Sequence, residues 1–160
     1  MKKSVFVTGA TNGTGYAIAE RFAKEGYDVF IGSRNGEHSA AAAEKLHKAY
    51  GVFAKGYQTE VFNEENVKEI FADIRSMGYL LDTLVLNAAN LGIGQESLTI
   101  DMEEFMGVFQ TNIGWNFMLA REAAKQMKEK GKGSIVFITS NSAIRVTENR
   151  LAYCASKSAI

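Results

Sequence analysis

Thr8-Gly9-Ala10-Thr11-Asn12-Gly13-Thr14-Gly15 lies between the short apolar run 4–8 and the amphipathic stretch 15–25. A chain that leaves a strand and turns at once into a helix needs positive φ, which glycine adopts without steric cost. The stretch therefore reads as strand, tight turn and helix. Working outward, the same alternation continues to the end of the chain. The runs 28–33, 52–57, 83–87 and 134–139 are short, rich in Val, Ile and Phe, and mostly free of polar interruptions. Strands buried on both faces of a parallel sheet have that composition. Between them, 37–49, 64–77 and 102–130 show helical spacing; Val67, Ile70, Phe71 and Ile74 make one apolar stripe at i, i+3, i+4 and i+7. Gly26, Gly51, Gly78 and Gly131 each follow a helix, where a left-handed cap favours glycine. Strand–helix alternation predicts an α/β fold: a doubly wound parallel sheet with helices on both faces and right-handed crossovers.

The composition narrows the class. A chain of 160 residues is close to one domain at roughly 150 residues per domain, and residues 1–160 show no linker or repeat. Eighteen basic and eighteen acidic side chains balance, so neither nucleic acid nor an anionic membrane is expected as a partner. No apolar run approaches the roughly 18 residues that span a bilayer, and the start lacks a signal-peptide pattern. One cysteine, Cys154, excludes an internal disulfide and fits a reducing compartment. A cytoplasmic location is expected.

In a sheet of this kind, ligands bind beyond the carboxyl ends of the strands, at the point where strand order reverses. The glycine-rich turn is one such end. Gly9, Gly13 and Gly15 allow the backbone, with Thr11, Asn12 and Thr14, to approach a pyrophosphate, and the helix that follows offers it free N–H groups. This predicts a dinucleotide site, an NAD(P)-binding Rossmann domain. The spacing is Gly-x3-Gly-x-Gly rather than the commoner Gly-x-Gly-x-x-Gly. At the second strand end, Ser33-Arg34-Asn35 carries no carboxylate to hold the 2′-hydroxyl of NAD, and an arginine fork suits a 2′-phosphate. NADP is expected ahead of NAD.

Near the end of the chain, Tyr153-Cys154-Ala155-Ser156-Lys157 puts a phenol and an ammonium one helical turn apart. A nearby cation favours the phenolate and brings tyrosine into range as an acid or base. Thirteen residues upstream stands Ser140, at the end of a predicted strand.

Taken in order, these motifs resemble the short-chain dehydrogenase/reductase family over the whole chain, in particular members that act as 3-oxoacyl-ACP reductases. Thr8 to Gly15 matches the family's pyrophosphate loop, and Asn87-Ala88-Ala89 its Asn-Ala-Gly segment. Asn112, in Thr111-Asn112-Ile113-Gly114, matches its helix asparagine; Ser140, Tyr153 and Lys157 match the rest of its catalytic set. The resemblance implies that Tyr153 protonates a carbonyl oxygen while the nicotinamide delivers hydride to carbon. Ser140 steadies that oxygen, Lys157 holds the nicotinamide ribose and tunes Tyr153, and Asn112 anchors a water that relays protons to Lys157. Tyr153 and Lys157 thus count among the cofactor residues as well.

Some positions depart from the family's pattern. Thr14 replaces a branched apolar residue, Leu86 and Ala89 replace an Asn and a Gly, and Glu60-Val61 replaces the Asp-apolar pair that receives the adenine. Glu60 is expected to reach the adenine amino group, with Val61 beside it. Cys154 is assigned to packing, as are Trp115, Phe117 and Met118; His38 and His47 lack metal-ligand spacing. Ser142 and the segments 90–100 and 141–150 are expected to border the substrate.

The absence of proline, against about 5% in ordinary proteins, fits a chain that stops before the Pro-Gly segment, last strands and substrate-covering loop of the resembling family. The sequence is thus expected to be an incomplete domain lacking its C-terminal strands, from a parent that is a homodimer or homotetramer. Two functions remain open. One is an oxidoreductase acting on a small carbonyl or alcohol substrate such as a 3-oxoacyl thioester, a sugar or a small ketone. The other is a non-catalytic dinucleotide-binding sensor, which has no use for Asn112, Ser140, Tyr153 and Lys157 together.

Overall fold

The computed structural model describes residues 2–94 and 96–160. Five strands, β1 (Ser4–Thr8), β2 (Asp28–Ser33), β3 (Ala54–Gln58), β4 (Thr83–Leu86) and β5 (Ser134–Phe137), form one parallel sheet in the order β3-β2-β1-β4-β5. Six helices connect and follow them: α1 (Gly13–Lys24), α2 (Gly36–Tyr50), α3 (Glu64–Ser76), α4 (Met102–Phe109), α5 (Asn116–Lys130) and α6 (Leu151–Ser158). This is the Rossmann-like doubly wound sheet. The order reverses between β1 and β4, which opens the crevice in which such sheets bind ligands.

Strand alternation distributes the core over both faces. Phe6, Phe30, Leu84 and Leu86 point to one side, where Ile70, Phe71 and Ile74 of α3 and Leu119 and Ala123 of α5 cover them. Val5, Val7, Val29, Ile31 and Val85 point to the other, against Ala19 and Ala23 of α1 and Ala42, Ala43 and Leu46 of α2. β1 and β4 are buried throughout and β2 up to its last residue, Ser33; β3 is half-buried and β5 is largely exposed, because both lie at the sheet's edges. The expectation that every run would be buried on both faces holds for the three inner strands alone.

The stretch 102–130 is not one regular helix. Gln110–Trp115 forms a π-helical turn between α4 and α5. Two side chains bond into the backbone around it: Thr111 Oγ1 donates to Gly107 O at 2.9 Å, and Asn116 Nδ2 donates to Asn112 O at 2.8 Å. Side-chain insertions of this kind loosen the helical ladder. Trp115 is buried as expected, whereas Phe117 is 60% exposed, with the Arg121 guanidinium 5.7 Å from its ring centroid.

Among the described residues, no helix is long and apolar enough to cross a membrane, and no group of three or more His, Cys, Asp and Glu is placed to hold a metal.

One close approach sets the place of the second strand's tip. A Cβ on Gly56 of β3 would lie 2.5 Å from the Ser39 carbonyl oxygen of α2, and Ser39 Oγ in turn meets Ser33 Oγ at 2.7 Å. Gly56→Ala is expected to push α2 off the sheet at a cost of about 1–3 kcal/mol, the range for overpacking. The check is the chemical denaturation midpoint, and an unchanged midpoint would show that α2 and β3 separate freely.

Candidate active site

At the carboxyl ends of β1, β2, β3 and β4 lies a cavity of about 730 Å³, within the range of small-molecule sites. Gly9, Thr11, Asn12, Gly13, Thr14 and Gly15 form its floor; Ser33, Arg34, Thr59 and Val61 line one end, and Asn87 to Ile93 another wall. Gly9 and Gly13 have φ of 64° and 54°, the left-handed region that glycine alone adopts freely. Gly9 also abuts Ala88, to which a Cβ would come within 3.1 Å. Both glycines are fixed by geometry.

The N-terminus of α1 differs from those of its neighbours. Asn35 caps α2 by accepting from His38 N, Asn63 caps α3 by accepting from Glu65 N and Asn66 N, and Asp101 caps α4 by accepting from Glu104 N. Asn12, at the same position of α1, makes no side-chain cap. The first N–H groups of α1 are thus left to whatever enters the cavity they border, and they carry the positive end of the helix dipole. Arg34 is the single charged residue in the lining, and no carboxylate joins it among the described residues.

Of the four catalytic candidates, Asn112 is bonded directly to a residue of the cavity lining, Asn90. Asn112 sits in the π turn, fully buried; its amide nitrogen donates to Asn90 O at 3.0 Å and to Ser156 Oγ at 2.9 Å, and its oxygen accepts from Asn90 N at 2.8 Å. It thereby ties a cavity-lining residue to α6. On α6, Lys157 Nζ lies 5.9 Å from the Tyr153 ring centroid and donates to Ile138 O, at the end of β5, at 2.6 Å. Arg150 adds a second cation, 5.8 Å from the same ring. Ser140 opens the turn Asn141–Ala143, accepting from Ser142 N at 3.1 Å, and Ser158 Oγ of α6 closes on that turn through Ala143 O at 2.7 Å. The structure brings the ends of β5 and α6 together and places Tyr153 and Lys157 on one helix, both largely buried.

The family model for short chain dehydrogenases matches residues 3–160. The chain belongs to the short-chain dehydrogenase family. Among curated relatives, it is 35% identical to a 3beta-hydroxysteroid dehydrogenase of Mediterraneibacter gnavus over 99% of its own length and 57% of that protein's. It is 34% identical to the 3-oxoacyl-(acyl-carrier-protein) reductase FabG of Aquifex aeolicus, over 86% of this chain and 55% of that one. An actinorhodin polyketide ketoreductase solved with NADPH superposes with a TM-score of 0.92 at 31% identity, over 98% of this chain and 60% of the other. This short-chain dehydrogenase chain therefore spans little more than half the length of the curated relatives it matches.

Not every residue named from the sequence lines the cavity. Gly9, Thr11 to Gly15, Ser33, Arg34, Val61 and Asn87 to Ala89 do. Asn35 does not, because its side chain caps α2. Glu60 does not either: Asn63 Nδ2 donates to its carboxylate at 2.7 Å, and the exposed side chain stands outside the lining. Asn112, Ser140, Tyr153 and Lys157 are not among the lining residues either. The Asn112 backbone carbonyl accepts from Asn116 Nδ2, and the Asn112 side chain ties the loop after β4 to α6.

Sequence reasoning missed three lining residues, Thr59, Thr111 and Trp115. Thr59 directly follows β3, so the strand-end rule applied to the third strand finds it; the other two depend on the π turn, for which the sequence carries no pattern. Cys154 is buried, with Thr147 N at 3.5 Å from its sulfur, in keeping with a packing role.

Burial pushes the Lys157 ammonium below its ordinary pKa of 10.5. The unfolded chain therefore holds this proton more tightly than the folded one, so the residue's contribution to stability rises with pH from the lowered folded pKa up to 10.5. Lys157→Met removes that slope. The melting temperature of the natural protein is expected to gain on that of the variant as pH climbs toward 10.5, while the lost bond to Ile138 gives only a constant offset. A gap that moves the other way would mean that burial does not govern this lysine.

Proposed function

We propose that this chain carries the NADPH-binding and catalytic part of a cytoplasmic oxidoreductase that interconverts a carbonyl and an alcohol. The observation that carries the proposal is the pairing of an uncapped helix N-terminus with a cavity in which, among the described residues, Arg34 is the one charged side chain. Such a cavity suits a pyrophosphate on the α1 N–H groups and a 2′-phosphate on the guanidinium. NAD would find no carboxylate there for its 2′-hydroxyl.

Gly9, Gly13 and Gly15 would hold the pyrophosphate, Ser33 and Arg34 the 2′-phosphate, and Val61 the adenine, with Asn87, Ala88 and Ala89 along the β4 wall. A bound nicotinamide supplies the hydride that goes to the carbonyl carbon. Tyr153 Oη gives the carbonyl oxygen its proton, and Ser140 Oγ donates a hydrogen bond to that oxygen. Lys157 favours the tyrosinate left behind through its charge. Asn112 keeps Asn90 and α6 in register, so that cavity wall and proton donor stay aligned. Substrates in reach of this chemistry include 3-oxoacyl thioesters, sugars and small ketones; Leu91 and Ile93 give the cavity mouth an apolar side. The exposed side chains of Met102, Met106 and Phe117 offer the apolar contact for a homodimer or homotetramer. Residues 1–160 are read as a single domain. A substrate panel followed by NADPH absorbance tests the activity, and the absence of cofactor binding would end this reading.

Two substitutions test the assignments separately. Tyr153→Phe is expected to keep NADPH affinity and to lower turnover by roughly a hundredfold or more, as loss of an acid–base group does; turnover at the natural rate would remove Tyr153 from the mechanism. Arg34→Ala is expected to weaken NADPH by about ten- to a hundredfold, the worth of a charge-assisted hydrogen bond, and to leave NADH nearly unchanged. Equal losses for both cofactors in direct titration would show that Arg34 does not choose between them.

A further inference from the structure

Phe62 stands between β3 and α3 with φ of 59°, a conformation that bulky side chains rarely adopt. Such strain persists only where the surroundings over-determine it. Phe62 is 45% exposed, and the covered edge of its ring meets the π turn. A Cβ on Gly114 would come within 3.0 Å of Phe62 Cδ2 and would overlap the ring's edge at Cε2. The phenyl ring fills the space that Gly114 leaves open. Both partners are framed by cavity-lining residues: Thr59 and Val61 precede Phe62, and Thr111 and Trp115 flank Gly114. The base of the loop is tied separately, with Asn66 Nδ2 donating to Gln58 O at 3.3 Å and Glu60 N donating to Asn66 Oδ1 at 2.9 Å. The ring is the contact that fastens its tip to the π turn.

We infer that Phe62 is a positioning residue for the cofactor: seated on Gly114, its ring fixes the gap between Val61 and the π turn, where the adenosine half is received. This rests on the dinucleotide reading of the cavity. It adds a contact that spans two walls and joins the adenosine end to the turn that carries Asn112. The ring itself need not touch the ligand. Its effect runs through Val61 and Thr59 on one side and Thr111 and Trp115 on the other.

The test is calorimetric titration of the protein with NADPH and with 2′-phosphoadenosine diphosphoribose, which lacks the nicotinamide. Amide hydrogen exchange is followed on the unliganded protein. Phe62→Ala is expected to weaken both ligands by the same factor, about five- to tenfold, as when a binding loop must be ordered anew on binding. Gly114→Ala expels the ring and should do likewise, and the double variant should bind no more weakly than Phe62→Ala, because both changes break one contact. Phe62→Gly relieves the backbone strain yet should still bind weakly. Exchange should quicken in residues 59–62 and 110–115 and stay unchanged in α6. Natural affinity in Phe62→Ala, additive losses in the double variant, or faster exchange spreading through α6 would each overturn the inference. A natural protein that binds neither ligand would overturn the cofactor reading and this inference with it. Tight binding by both the natural protein and Phe62→Ala would overturn this inference alone.

Discussion

The carboxyl ends of β1 and β4 are held together by the Asn87 amide and the Thr8 hydroxyl. Asn87 Nδ2 donates to Thr8 O at 3.0 Å and to Gly9 O at 3.1 Å, while Thr8 Oγ1 accepts from Asn87 N and Ala88 N, each at 3.1 Å. At this point the ladder between the two strands has ended and the chains diverge, β1 into α1 and β4 into the loop toward α4. Without a side-chain substitute, four backbone groups would be left unpaired in a half-buried crevice, which is costly. The same amide sets the close packing that makes Gly15 necessary: a Cβ there would sit 2.5 Å from Asn87 Nδ2. The glycine turn, the opening of α1 and the wall formed by Asn87 to Ala89 all follow from this junction.

A second tie extends the arrangement away from the sheet. The two bonds between Asn112 and Asn90 fix the loop after β4, and the bond to Ser156 carries that placement onto α6, where Tyr153 and Lys157 are found. The chemistry proposed for this chain thus sits at the end of a chain of amides: Asn87 positions the crevice, Asn112 positions its rim, and α6 is docked on the rim. Asn35, Asn63 and Asp101 cap α2, α3 and α4 with their side chains, whereas Asn12, which opens α1 and lines the cavity, makes no such cap.

Much of this was legible in the sequence because it depends on local rules. Strand runs, helical stripes, cap glycines and the glycine-rich turn each follow from backbone geometry over a few residues, and those elements were found within a residue or two. The features that escaped depend on partners far along the chain. Glu60 reads as an adenine contact until Asn63 is seen to hold its carboxylate; Asn35 reads as a phosphate contact until it is seen capping α2. Whether β3 and β5 are covered is decided by their edge positions, not by their apolar content. Phe117 faces outward because it falls between the buried positions Asn116 and Leu119, off the stripe that meets the sheet.

From Val108 to Met127 the buried positions are Val108, Asn112, Trp115, Asn116, Leu119, Ala123, Gln126 and Met127, a stripe that continues through the π turn. A π turn closes its hydrogen bonds from i to i+5 rather than from i to i+4, and so holds one residue more than an α-helical turn. α4 and α5 can therefore each present an apolar face to a different neighbour without a break in the chain. Loss of one residue within Gln110–Trp115 would restore a regular helix and improve its local geometry. It would also rotate α5 by about 100° against α4, turning Leu119 and Ala123 away from the sheet. In this segment, length carries information that residue identity does not.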